Sequence, residues 1–122
     1  MKYYFTILLF LAFSKAFALD GNHTTLMVVD QFGYKEISKK ICIIGSPQSG
    51  YDFTIPVSGY IPGATLQLKN SADNTVAFSA APTPWNGGGT HNHSGNKIWQ
   101  FDFSAFTTPG NYYVYDPSNN TR

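Results

Sequence analysis

The sequence is poor in charge. Eight Lys and Arg stand against seven Asp and Glu in 122 residues, and the charged types make up only 12 % of the chain. That argues against highly charged disorder and against nucleic-acid binding through a basic surface. Glutamate occurs once, at Glu36, and beyond residue 18 there are four leucines and six alanines. With few strong helix formers and no long stretch of apolar residues at helical spacing, there is little helix signal. Cys42 is the only cysteine, so no disulfide can form within one molecule. In an exported chain an odd cysteine points to a partner chain or to a buried thiol. Cys42 stands in the apolar run Ile41-Cys42-Ile43-Ile44, which favours inert packing in a core.

The residue patterns that carry chemistry are also missing. A glycosidase needs two carboxyl groups across one cleft, roughly 5–10 Å apart and in different environments. Asp73 and Asp116 sit beside Asn and Pro, and Asp52 lies two residues after Gly50; all three read as turn residues, and no carboxylate pair stands out. His91-Asn92-His93 places two imidazoles at alternate positions, but no third His, Cys or carboxylate lies near them to complete a zinc site. Gly87-Gly88-Gly89 lacks the Lys-Ser/Thr of a phosphate-binding loop, and there is no Gly-x-Ser-x-Gly elbow. No catalytic residue, metal ligand or cofactor is therefore expected.

The first stretch is a different kind of sequence. Lys2 is followed by an apolar run over residues 3–13, and Ala16-Phe17-Ala18 has the form of a signal-peptidase site. A run of about 11 residues is too short to span a bilayer, so residues 1–18 read as a secretory signal peptide rather than an anchor. Taking them off leaves 104 residues, 19–122, with six basic side chains against seven acidic ones. The expectation is one exported domain, slightly acidic and Gly/Pro-rich, with neither nucleic acid nor membrane as a partner.

Short β-branched and aromatic runs separated by Gly, Pro, Asn and Ser dominate that domain. Strands are expected over residues 24–32 and 38–44, with an edge piece around 51–57 interrupted by Pro56. Residues 64–69 and 75–79 form a hairpin pattern across Asn70-Ser71-Ala72-Asp73-Asn74. Alternation is clearest over 97–103, where Trp99, Phe101 and Phe103 share one face; Phe101→Asp is the change expected to break the domain. Pro109-Gly110 suits a type II turn before a last strand, Tyr112-Tyr113-Val114-Tyr115. Residues 82–95 read as a long mobile loop. About seven strands between residues 24 and 116 point to an all-β, immunoglobulin-like two-sheet sandwich, with a small closed barrel as the alternative.

Two further features bear on function. Trp85, between Pro84 and the glycine run, reads as exposed, and an exposed aromatic face suits stacking on a sugar ring. Asn-x-Ser/Thr acceptor sites for N-glycosylation occur at Asn22, Asn92 and Asn119, usable in an exported chain of a eukaryote, with Asn92, in the expected loop, the best placed.

Two stretches then become recognisable. Val29-Asp30-Gln31-Phe32-Gly33-Tyr34 resembles the Asn-Gln-Val-Gly-Tyr signature that opens the immunoglobulin-like domain preceding many family-nine glycoside hydrolase catalytic domains. Asp30 stands where that family usually has Asn, and Phe32 where it has an aliphatic residue. The run from Trp99 through Asp102-Phe103-Ser104 to Thr108-Pro109-Gly110-Asn111-Tyr112-Tyr113 is similar to the family's closing pattern. The resemblance implies a non-catalytic accessory domain of an endoglucanase acting on cellulose or related β-glucans. In that family the hydrolytic carboxylates belong to a helical barrel following this domain, and the sequence ends at Arg122 without one, as a truncated product or an incompletely read gene would. Gln31, Phe32, Gly33 and Tyr34 are candidates for docking that barrel; a plain strand-end turn is the other reading. Tyr112 is placed like the tyrosine corner of sandwiches. A stand-alone polysaccharide-binding module is the alternative function.

Overall fold

The computed structural model describes residues 18–50, 53 and 59–122. The signal-peptide segment up to residue 17, and all of the edge piece expected over 51–57 except Phe53, lie outside the described residues. Among the described residues seven strands follow in chain order: β1 Met27–Val28, β2 Ile41–Pro47, β3 Leu66–Asn70, β4 Val76–Ala80, β5 Thr83–Pro84, β6 Asn96–Asp102 and β7 Tyr112–Tyr115. They form two antiparallel sheets, β1-β2-β6-β5 and β4-β3-β7, an immunoglobulin-like sandwich.

Alternation explains the core. In the β2–β6 ladder Cys42 faces Phe101 and Ile44 faces Trp99. Phe101, Cys42 and Ile44 are fully buried, and Leu66, Leu68 and Val114 meet them from the other sheet. Fully burying a side chain of Phe or Ile size contributes about 1.5–3 kcal/mol. Trp99 is only half-buried and packs at the rim of this cluster. Burial pushes the Cys42 thiol up to about 12, which keeps it protonated and unreactive.

The β3–β4 connection closes itself with local side chains. Asn70 Oδ1 accepts from the Ala72 N–H at 2.8 Å, and Asp73 Oδ1 accepts from the Thr75 N–H at 3.0 Å. The start of the described chain is tied onto the same sheet. Lys69 pairs with Asp20, the Asp20 N–H donates to the Tyr113 hydroxyl at 3.1 Å, and Asn74 Nδ2 donates to the Ala18 carbonyl at 2.7 Å.

Four sequence expectations change. β1 has two residues rather than nine, because the chain leaves the sheet for a turn at Asp30. β2 starts at Ile41, because residues 35–38 form a turn of their own. Residues 82–95 are not an open loop: they hold β5, a turn over Trp85–Gly88 in which Asn86 and Gly87 have positive φ, and a Thr90–Lys97 bridge. Pro109-Gly110 is not a type II turn, since Gly110 has φ +156° rather than roughly +80°. The glycine has a different reason: a Cβ there would lie 2.9 Å from the Tyr112 ring, which folds back over it.

The strands run between two ends. β2 and β7 begin, and β6 finishes, at one end; Pro47 and Asn96, paired across β2 and β6, mark the other, towards which β7 runs on to Asp116.

Candidate docking surface

Two turns stand side by side at the first end. In the turn from Asp30 to Tyr34, Asp30 Oδ1 accepts from the Phe32 N–H at 2.9 Å, and the Asp30 carbonyl accepts from the Gly33 N–H at 3.2 Å. Gly33 has φ +79°, a conformation that a Cβ would strain. Tyr34 fastens this turn to the sandwich. Its hydroxyl donates to the Ile41 carbonyl and accepts from the Asp30 N–H, both at 2.9 Å, while its ring meets Phe103 edge-on at 5.4 Å. Phe32 is left at the tip, 93 % exposed.

The second turn covers residues 35–38, where the Ser38 N–H and hydroxyl both donate to the Lys35 carbonyl. Lys40 holds it down. Its buried ammonium donates to the carbonyls of Glu36, Ser38 and Ser104 at 2.5, 3.1 and 3.3 Å. A buried cation needs such partners, and here three carbonyl dipoles replace its hydration shell. Ile37 projects from this turn, 94 % exposed.

The opposite wall comes from the second motif. Phe106 meets the Tyr112 ring edge-on at 4.9 Å, and the Tyr112 hydroxyl donates to the Pro109 carbonyl at 3.3 Å. Between the walls lies a groove of about 800 Å³, lined by Tyr34, Ile37, Phe103, Phe106, Pro109 and Tyr112 among others. Of the residues singled out from sequence, Gly33, Tyr34, Phe103, Pro109, Gly110 and Tyr112 line it. Gln31 and Phe32 stand exposed on the turn beside it, while Trp99 and Phe101 belong to the core cluster and its rim. Ile37 was missed by sequence reasoning. An isolated isoleucine between Lys35-Glu36 and Ser38-Lys39 is its only signal.

The other end is built around a closed polar network, with Ile61 exposed beside it. Asp116 heads the turn over residues 117–120, as its sequence setting suggests, but it is fully buried rather than set on the surface. Oδ2 accepts from the Tyr60 hydroxyl at 2.6 Å, the Gly63 N–H at 3.0 Å and Asn119 Nδ2 at 2.7 Å. Oδ1 accepts from the backbone N–H of Ser118 and Asn119. Burial opposes ionisation of Asp116, but the hydrogen bonds from Tyr60, Asn119, Gly63 and Ser118 outweigh it and hold the pKa below the ordinary carboxylate range. Burial, reinforced by the Asp116 charge, pushes the Tyr60 phenol up. Asn22 bridges Thr121 at this end, and Asn92 lies in the turn that leads into β6. In that turn region the Trp85 and His91 rings lie 5.6 Å apart and those of His91 and His93 5.7 Å apart. Among the described residues no group of three His, Cys, Asp or Glu could hold a metal ion, and no helix is long and apolar enough to cross a membrane.

A family model described as the cellulase N-terminal ig-like domain matches residues 22–120, which span all seven strands and both walls of the groove. The chain belongs to this family. This agrees with the resemblance read from its motifs, to the immunoglobulin-like domain of family-nine cellulases. The cellulase Ig-like domain is also similar to solved structures. One is a Bacteroides ovatus GH9 protein, at 20 % identity and TM-score 0.56, covering 79 % of this chain and 14 % of that one. Another is a metagenome-derived glycoside hydrolase family 9 endoglucanase, at 23 % identity and TM-score 0.55, covering 76 % of this chain and 16 % of that one. At these identities the likeness is one of fold, and the Ig-like domain spans about a seventh of those chains. No curated protein matches the sequence.

Proposed function

We propose that this chain is an exported accessory domain, without hydrolytic activity of its own, whose grooved end packs against a cellulase-type catalytic barrel acting on cellulose or related β-glucans. The observation that carries the reading is the pair Phe32 and Ile37. Each is more than nine-tenths exposed, and each sits on a turn fastened by buried or half-buried anchors. Large apolar side chains held out on rigid supports beside an apolar groove suit a partner surface. Covering each would contribute up to about 1.5–3 kcal/mol. Five of the carboxylates are engaged within the fold: Asp116 in its buried network, Asp20 with Lys69, and Asp30, Asp73 and Asp102 on the N–H groups of Phe32, Thr75 and Ser104.

The test joins this domain to a family-nine catalytic domain and follows thermal unfolding of the catalytic part. A higher midpoint is expected with the domain attached, and its loss in the Phe32→Asp/Ile37→Asp double variant. An equal midpoint with and without the domain would overturn the docking role.

A second reading, a stand-alone polysaccharide-binding module, draws on the row formed by Trp85, 38 % exposed, with His91 and His93. Retention on insoluble cellulose that soluble oligosaccharide competes away, and that Trp85→Ala abolishes, would favour this reading over the first.

A further inference from the structure

The acceptor asparagines differ in what the fold does with their amides. Asn119 looks open by exposure alone, yet Nδ2 donates both of its hydrogens, to the Ile61 carbonyl at 2.9 Å and to Asp116 at 2.7 Å. N-glycosylation forms a bond from Nδ2 to the anomeric carbon of a lipid-linked sugar donor. The bond from that carbon to the donor's phosphate breaks, and one amide proton leaves. A glycan on Asn119 would therefore remove one of these two bonds and set a bulky group against a carboxylate that is 0 % exposed. Where the lost bond is the one to Asp116, Oδ2 is left with the Tyr60 and Gly63 donors alone in a site closed to solvent.

Asn92 is the opposite case. It is exposed at the tip of a tight turn, and its side chain bonds to no described residue. The turn is closed without it, by the Gly95 N–H donating to the His91 carbonyl at 2.8 Å and the Ser94 N–H donating to His91 Nδ1 at 3.2 Å. Replacing one hydrogen on Asn92 Nδ2 breaks nothing in the fold.

We propose that Asn92 carries an N-linked glycan of this domain and that Asn119 is withheld from one in the folded molecule. This rests on the reading of the chain as exported. The placement also suits the docking role. The seven residues of β6 separate the Asn92 turn from the groove, a rise of about 20 Å, so the sugar leaves the apolar end uncovered.

The experiment expresses the full chain in a eukaryotic secretory host. Occupancy of each acceptor asparagine is read by mass spectrometry after enzymatic deglycosylation, separately in medium and lysate. Asn92 occupied and Asn119 bare in the secreted pool is the expected result. Secreted molecules glycosylated at Asn119, or an Asn92 bare in both pools, would overturn the proposal. A chain kept inside the cell with Asn92 occupied and Asn119 bare supports the assignment and counts against export alone. Unglycosylated protein gives an independent check. Asn119→Ala should lower the thermal midpoint by about 5–10 °C and Asn92→Ala by less than about 2 °C. An unchanged midpoint for Asn119→Ala would overturn the assignment of its amide to the fold.

Discussion

At one end of the sandwich the Asp116 carboxylate accepts five hydrogen bonds and is closed from solvent. At the other, Phe32 and Ile37 stand in water on turns held by Tyr34 and Lys40. Both ends spend buried polar groups on ordering the chain. At the Asp116 end these bonds join residues 60–63 to residues 116–121 and finish the domain. At the grooved end they fix two turns whose apolar tips are more than nine-tenths exposed. Exposure at the grooved end is therefore not looseness, and that difference separates a surface built for contact from a frayed loop.

Removing the polar anchor should do the most damage. Asp116→Ala leaves the Tyr60 hydroxyl and the Gly63 N–H without their acceptor in a buried site. A loss of about 3–5 kcal/mol is expected, read as a large fall in the urea midpoint. A smaller, graded version comes from pH. The folded-state pKa of Asp116 is depressed, so its contribution is present above the ordinary carboxylate range near 4 and is lost as pH falls through the lower folded value. Urea midpoints from pH 6 down to pH 2 should show that acid loss in the native domain. The acid limb should flatten in Asp116→Asn.

The same contrast explains what could be read from the sequence. β6 and β7 were legible because Lys97 to Phe103 alternates cleanly and Tyr112 to Tyr115 is an unbroken β-forming run. β5 was not, because two residues, Thr83 and Pro84, carry no period. The grooved end was half legible. Its two walls are the two recognisable motifs, but their approach to one another, and Ile37 between them, depends on the β2–β6 pairing. The Asp116 network was illegible. A carboxylate before Pro117-Ser118-Asn119 has the chemistry of a surface turn, and its decisive partners Tyr60 and Gly63 lie 56 and 53 residues away.

At the grooved end the hydroxyl of Tyr112 offers a modest effect. Its bond to the Pro109 carbonyl is long, at 3.3 Å, while its ring contacts with Phe106 and Gly110 survive in phenylalanine. Tyr112→Phe should cost about 1 kcal/mol or less in urea unfolding. A loss well above that would mean that the hydroxyl, rather than the ring, secures this wall of the groove.

The smallest effect on stability is the most informative about the surface. Phe32 and Ile37 bury almost nothing within the domain, so replacing both with aspartate removes little folding energy. Their turns are closed by Asp30, Tyr34, Ser38 and Lys40, none of which changes. Phe32→Asp/Ile37→Asp should therefore shift the stability of the isolated domain by no more than about 0.5 kcal/mol, and its solubility should rise. A loss above about 1 kcal/mol would show that these side chains fold back onto the groove and serve the domain's own core. Near-neutrality, beside the heavy cost of Asp116→Ala, would show that one end of the sandwich is built for the fold and the other for something outside it.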